Sequence, residues 1–221
     1  METYRLTLQP VSLTQEEVLA ALHLEEGEPE DIERAMEMAQ GLCEAACPKA
    51  LYGVAPVTDQ GEDWVELDGR VRFTSKLVCE NLEGVHKIIP YVCTCGLEAQ
   101  AWSEQFQNPL EEFWAEELKI RVLGRISGLL HRKIKETYFP SGKMASMNPG
   151  SLKQWPLTAQ GELFSLLGTV TQQLGVTLAD SFLMLPHKST SGFFFANDTG
   201  YENCQLCPLL DCPNRRAKFQ G

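Results

Sequence analysis

No stretch of this chain approaches the roughly eighteen consecutive apolar residues that a membrane-spanning helix requires, so no membrane partner is expected. The opening residues, METYRLTLQP, lack the basic-then-apolar layout of an export leader, and the expected address is therefore cytoplasmic. Basic residues are scarce. Lys+Arg number 19 against 30 Asp+Glu, and a net charge of -11 repels phosphate backbones and argues against nucleic acid as a partner. A G-x-x-x-x-G-K-[ST] loop is absent, which excludes nucleotide hydrolysis by that route. The 4 histidines, His23, His86, His131 and His187, stand singly with no H-E-x-x-H spacing, and no serine sits in a G-x-S-x-G elbow. Hydrolytic chemistry is disfavoured accordingly, and His187 reads as a surface or ligand-lining residue. Neither internal repeats nor low-complexity segments occur.

What is present suffices for a globular core: 221 residues with 43% hydrophobic composition fit one large domain. Thr14 stands three before Glu17 in VSLTQEEVLAALHL, a capping box ahead of apolar residues at helical spacing. The run EPEDIERAMEMAQGLCEAACP continues with acids in its first turn and a stripe of Ile32, Met36, Ala39, Cys43 and Ala46, stopped by Pro48. Short β-rich runs follow from ALYGVAPV through DWVELDGRVRF, then a brief helix near 75 to 82 and a strand in GVHKIIPYVCTCG. The longest helical region spans roughly 97 to 137 and divides near Asn108 and Pro109, with Phe113, Leu118, Val122, Ile126, Leu129 and Leu130 on its apolar face. YFPSGKMASMNPGSLKQWP has no periodicity and many turn formers, the mark of a binding loop or lid. A helix at about 157 to 167 precedes SFLMLP and SGFFFA, which read as paired strands near the sheet centre.

Chemistry concentrates in the cysteines. With no export leader, the 8 thiols are expected reduced, serving packing, metal binding or reactivity. Cys43 and Cys47 read as core fillers, and so does Cys79. Cys204, Cys207 and Cys212 form C-x2-C-x4-C-P, where Pro208 and Pro213 resist helix and favour a fixed loop. Structural zinc wants four N/S ligands, and no histidine follows His187. Iron–sulfur clusters accept closely spaced cysteines in one loop, with proline often after the last, so a cluster, 4Fe-4S in type, is favoured over zinc or plain thiols. A fourth thiolate would come from Cys95, at a turn beside Gly96; the alternative is that Cys93 and Cys95 are both core thiols. Arg215 and Arg216 either offset the negative charge of a cluster or are solvated surface charges.

The run GVTLADSFLMLPHKSTSGFFFANDTGY resembles the activation domain of cobalamin-dependent methionine synthase, through Thr177, Leu178, Ser181, Phe182, Met184, Pro186, Ser189, Ser191 and Gly192. NPGSLKQWPLTAQ resembles that family's Pro-Gly loop, and the opening helices and TCGLEAQAW agree with its stand-alone members. The resemblance implies an α+β fold, a twisted, mainly antiparallel sheet wrapped by helices in a C shape, spanning 1-202, with 203-221 as an added cysteine-rich metal-binding tail. It also implies an S-adenosylmethionine site at Pro149, Gly150, Asp180, Ser191 and Tyr201, and a partner that carries cobalamin. Asp180 would accept a hydrogen bond from a ligand or, alternatively, cap an element.

One departure bears on that site. The family's loop has the form Arg-x-x-Pro-Gly-Tyr, its arginine pairing with the ligand carboxylate, whereas Ser146 and Ser151 stand at those positions in SMNPGS. A charge-assisted arginine–carboxylate contact is worth about 1.5–3 kcal/mol, and serine cannot replace it. Lys143, three residues away, offers only a flexible point charge. Two functions are therefore expected. One is an accessory protein for a corrinoid protein or cobalamin-dependent methyltransferase, assisting reductive reactivation of cob(II)alamin in methyl transfer through an iron–sulfur cluster. The other is a non-catalytic binding module of such a system, with a structural metal and no S-adenosylmethionine.

Overall fold

A computed structural model describes residues 1–211, 215 and 217–220 of the chain. It begins with strand β1 (Thr3–Thr7) and helix α1 (Gln15–Leu22). The Thr14 capping box forms as expected: Glu17 N donates to Thr14 Oγ1 at 3.3 Å and Thr14 N to Glu17 Oε2 at 2.8 Å. Helix α2 (Pro29–Ala45) starts on a proline whose missing N–H costs nothing in a first turn, and buries Ala35, Met38, Ala39 and Leu42. Strands β2 (Lys49–Gly53), β3 (Ala55–Gln60), β4 (Trp64–Leu67) and β5 (Val71–Thr74) follow, then helix α3 (Lys76–Asn81), capped by the Ser75 hydroxyl. Strand β6 (Lys87–Thr94) leads to α4 (Leu97–Ser103) and the long α5 (Pro109–Tyr138), whose N-cap Asn108 accepts from Leu110 N at 2.9 Å. The remaining elements are β7 (Met144–Met147), a 3₁₀ turn at Leu157–Ala159, α6 (Gln160–Leu167), α7 (Val170–Leu174), β8 (Thr177–Leu178), β9 (Met184–Leu185), β10 (Ser189–Ala196) and a 3₁₀ turn at Asn203–Gln205.

Among the described residues, 8 strands join one antiparallel sheet, in the order β1-β2-β6-β3-β4-β5, with β10 on β6 and β7 on β10. The α+β expectation therefore holds. Period-two alternation sends Ile89, Tyr91 and Cys93 of β6 to one face, where Ile126, Leu130 and Ile134 of α5 cover them. Ile88 and Val92 face the other way, toward Leu163 and Leu166 of α6 and Val170 and Leu174 of α7. Helices α1, α2 and α4 pack on the first half of α5 through Val18, Leu42, Ala99, Trp114 and Leu118. Lys119 is fully buried there: its ammonium donates to Ser103 Oγ at 2.7 Å and pairs with Glu116 at 2.6 Å, and Glu116 also meets Lys188 at 3.1 Å. Among the described residues no helix is long and apolar enough to cross a membrane.

Several sequence expectations need correction. The apolar runs in SFLMLP and SGFFFA do not pair with each other: β9 turns back on β8 in a separate two-stranded ribbon, while β10 pairs with β6 and β7. Pro186 between them has no N–H to give to a ladder. The supposedly irregular stretch from 138 to 156 contains β7, because Phe193 to Ala196 offer a strand edge for Met144–Met147 to join. Phe113, assigned to the apolar face of the long helix, is half exposed. Cys47 lies beyond the end of α2 and accepts from Gln9 Nε2 at 3.6 Å.

Candidate functional site

A cleft of about 1190 Å³ opens between α5, the loop after β7, the β8–β9 ribbon and β10. Its helical wall is low, because Gly124, Ser127 and Gly128 of α5 present little side chain, and a methyl group on Gly124 would meet nothing within 4 Å. Its floor is a hydrogen-bonded network. Asn148 Nδ2 donates to Tyr91 Oη at 2.8 Å and to the Ser191 carbonyl at 2.6 Å; Ser191 Oγ donates to Gln160 Oε1 at 2.8 Å; Gln160 Nε2 donates to the Phe182 carbonyl at 3.0 Å. These contacts tie the loop, β6, β10, α6 and the ribbon together in one place. Buried amides and hydroxyls satisfied in this way hold their groups in fixed orientation.

The Pro149–Gly150 loop is closed by Gly150 N donating to Trp155 O at 2.9 Å and by Ser151 N donating to Asn148 O at 3.3 Å. Gly150 has φ +81°, a backbone conformation that favours glycine, and a Cβ there would also press on the Leu157 side chain at 2.9 Å. Gly192 on β10 is more constrained still, since a Cβ would lie 2.3 Å from the Met147 carbonyl oxygen and 2.6 Å from Asn148 Nδ2.

Pro149 and Ser191, both expected to contact a cofactor, line this cleft together with Ser146, Ser151 and His187. The Ser191 hydroxyl is already engaged by Gln160. Asp180 is exposed on the turn of the β8–β9 ribbon, where Ala179 N donates to Leu183 O at 2.9 Å, and it does not line the cleft. Tyr201 lines a separate pocket of about 300 Å³ with His131, Lys135 and Lys143; its hydroxyl donates to Asn203 Oδ1 at 2.7 Å, and burial, then the Glu202 charge, push its phenol up. Lys143 thus lines the side pocket, which shares His131 and Glu202 with the cleft. Asn148, Gln160 and Tyr91 were not picked out from the sequence. For Asn148 the signal was its place in the turn-forming Asn-Pro-Gly triplet.

Strand order, helix placement and this cleft can be set beside known structures. The crystal structure of the MetH reactivation domain bound to AdoHcy matches with a TM-score of 0.66 at 17% identity, over 91% of this chain and 80% of that one. The chain has the fold of that reactivation domain. At such identity the likeness speaks for the fold, and ligand and activity rest on this chain's own residues. No family model matches the sequence, and no curated protein matches it.

Beside the reactivation-domain fold lies the cysteine tail. Cys204 and Cys207 are half-buried on one loop, and Cys212 lies outside the described residues. Cys95 sits fully buried among Ala39, Leu42, Ala99 and Leu118. It follows the end of β6 that pairs with Ser189, whereas the tail leaves from the opposite end of β10. Among the described residues no three His, Cys, Asp or Glu side chains gather as metal ligands, so Cys95 is not brought together with Cys204 and Cys207. Burial pushes the Cys95 thiol up to about 11 and that of Cys93 up to about 12, which keeps both protonated near neutrality. Arg215 ties the tail internally and, with Glu202, lines the same cleft as Pro149 and Ser191.

Proposed function

We propose that this chain is an accessory protein for a corrinoid (vitamin B12) protein or cobalamin-dependent methyltransferase, assisting the return of cob(II)alamin to its methyl-accepting state. In this reading Cys204, Cys207 and Cys212 hold an iron–sulfur cluster, 4Fe-4S in type, and Cys95 remains a core thiol. The carrying observation is adjacency: the tail that bears the cysteines contributes Arg215, beside Glu202 just ahead of it, to the cleft that the Pro149 loop and Ser191 line. Half-buried thiols on a loop near the surface suit iron and sulfide, which need thiolates within reach of solvent during assembly. When bound, such a cluster supplies single electrons.

The chain's own residues do the rest. The Asn148–Ser191–Gln160 network keeps the cleft floor rigid, and the low wall at Gly124 and Gly128 leaves room for a partner's bulky group. An S-adenosyl ligand would find hydroxyls and amides there but no arginine at Ser146 to hold its carboxylate, since the Arg215 donors are committed to the tail.

Iron and acid-labile sulfide per chain, measured after strictly anaerobic purification and reconstitution, test the reading. Brown protein that bleaches with dithionite is expected, with colour lost in Cys204→Ser and Cys207→Ser and kept in Cys95→Ser. Protein that takes up neither element would overturn it. Colourless protein with stoichiometric zinc would instead favour the second reading, a non-catalytic binding module with a structural metal, to which the eroded Ser146–Ser151 loop also points.

A further inference from the structure

Arg215 departs from how arginines are usually used. A guanidinium has five N–H donors in a planar fork and commonly meets a carboxylate or phosphate. Here Nε donates to the Leu210 carbonyl at 3.2 Å, Nη1 to those of Cys204 at 2.6 Å and Ala217 at 3.0 Å, and Nη2 to those of Cys207 at 2.8 Å and Leu209 at 2.6 Å. Every donor ends on a main-chain oxygen of the tail. Among the described residues no carboxylate pairs with it, in a chain with 30 acidic residues.

Two consequences follow. The loop carrying Cys204 and Cys207 is wound around a point, so its curvature is set by the guanidinium before any metal arrives. The peptide bonds after Leu209 and Leu210 are trans, so carbonyls aimed inward put the N–H groups of Leu210 and Asp211 on the outer side of the loop. Outward amides beside a guanidinium with which no carboxylate pairs among the described residues make a surface suited to an anionic, thiolate-bound group.

We propose that Arg215 is the positioning residue of the cysteine loop: its planar fork, more than its charge, pre-forms the site that Cys204 and Cys207 present to iron and sulfide. This rests on the cluster reading above, and the experiment separates the two. Full-length wild type, Arg215→Lys and Arg215→Gln are compared, with circular dichroism and melting used to verify that the core is intact. Amide exchange across residues 203–220 is measured on metal-free protein, then uptake of ferrous iron and sulfide and the midpoint potential of the product. Lysine keeps the charge but has three donors at one point, so it cannot span five carbonyls. Both variants are expected to lose tail protection without metal and to fall at least about tenfold in apparent affinity for iron, the loss of one charge-assisted hydrogen bond or more. The residual cluster of Arg215→Gln should have a lower potential than that of Arg215→Lys. If Arg215→Lys matches wild type in tail protection and iron uptake, the fork is irrelevant and the proposal is overturned. If wild type takes up no iron and sulfide while its metal-free tail stays protected through Arg215, the cluster reading fails, and with it Arg215's role toward a cluster.

Discussion

Replacing Gly192 by alanine adds one methyl group where neighbouring backbone already closes in. Ideal geometry puts the new Cβ 2.3 Å from the Met147 carbonyl oxygen and 2.6 Å from Asn148 Nδ2. The first of these is backbone of β7 and cannot swing aside. Relief requires β7 to move off β10, or Asn148 to leave its contacts with Tyr91 Oη and the Ser191 carbonyl. Overpacking costs about 1–3 kcal/mol, and each forfeited buried hydrogen bond adds about 1 kcal/mol, so about 3 kcal/mol is expected in total. For a chain of this length, that lowers Tm by roughly 6–12 °C. Gly124→Ala is the control: the same methyl group, placed in a helix with no neighbour within 4 Å, should stabilise by about 0.5–1 kcal/mol by restricting the unfolded chain. Differential scanning calorimetry on both variants decides the matter. A Gly192→Ala protein that melts with wild type would mean that β7 yields freely, and the rigid cleft floor would have to be abandoned.

Three further outcomes are expected. At pH 8 in the metal-free native protein, a thiol reagent should modify Cys204 and Cys207 while leaving Cys93 and Cys95 untouched until unfolding, because burial holds those two near 12 and 11; peptide mapping of the labelled protein gives the order. Gln160→Ala should cost about 1–3 kcal/mol, because Ser191 Oγ and the Phe182 carbonyl lose their partner, and amide exchange should rise selectively in the β8–β9 ribbon. Burial alone would push the Glu116 carboxyl up, yet its bonds to Lys119 and Lys188 prevail and hold it below the ordinary 4.5. Its contribution to stability is therefore present above the unfolded value and lost as pH falls through the lower folded one. Glu116→Gln should accordingly destabilise at pH 7, and its deficit against wild type should shrink in acid, as read by urea unfolding across pH.

Much of the framework could be read from local chemistry. The Thr14–Glu17 box and the Asn108–Pro109 start each carry their own boundary in neighbouring residues, and helices α1 and α5 begin where those signals stand. Strand β7 was illegible for the opposite reason: Lys143 to Met147 has little strand character, and its conformation is imposed by the edge that β10 offers. The ribbon of β8 and β9 was misread because two apolar runs around a short connector look like a hairpin, whereas the real turn lies earlier, at Ala179 to Leu183, with Phe182 at φ 64°. Gln160 looks like a surface residue in LTAQGELF yet is buried, held by partners 22 and 31 residues away. Arg215 was legible as a cation but not as a hub, since its acceptors are main-chain atoms that any sequence possesses.

The position of β10 sets when the sheet can be completed during synthesis. Residues 189–196 form an internal strand between β6 and β7, and Phe193, Phe194 and Phe195 complete the packing on both faces of the sheet. Until those residues leave the exit tunnel, β6 has one unsatisfied flank and β7 has nothing to lie against, so the elements made before β10 must wait, half-assembled and sticky, for that strand. Nonsense or frameshift lesions upstream of codon 189 should therefore yield insoluble product rather than a shortened working protein.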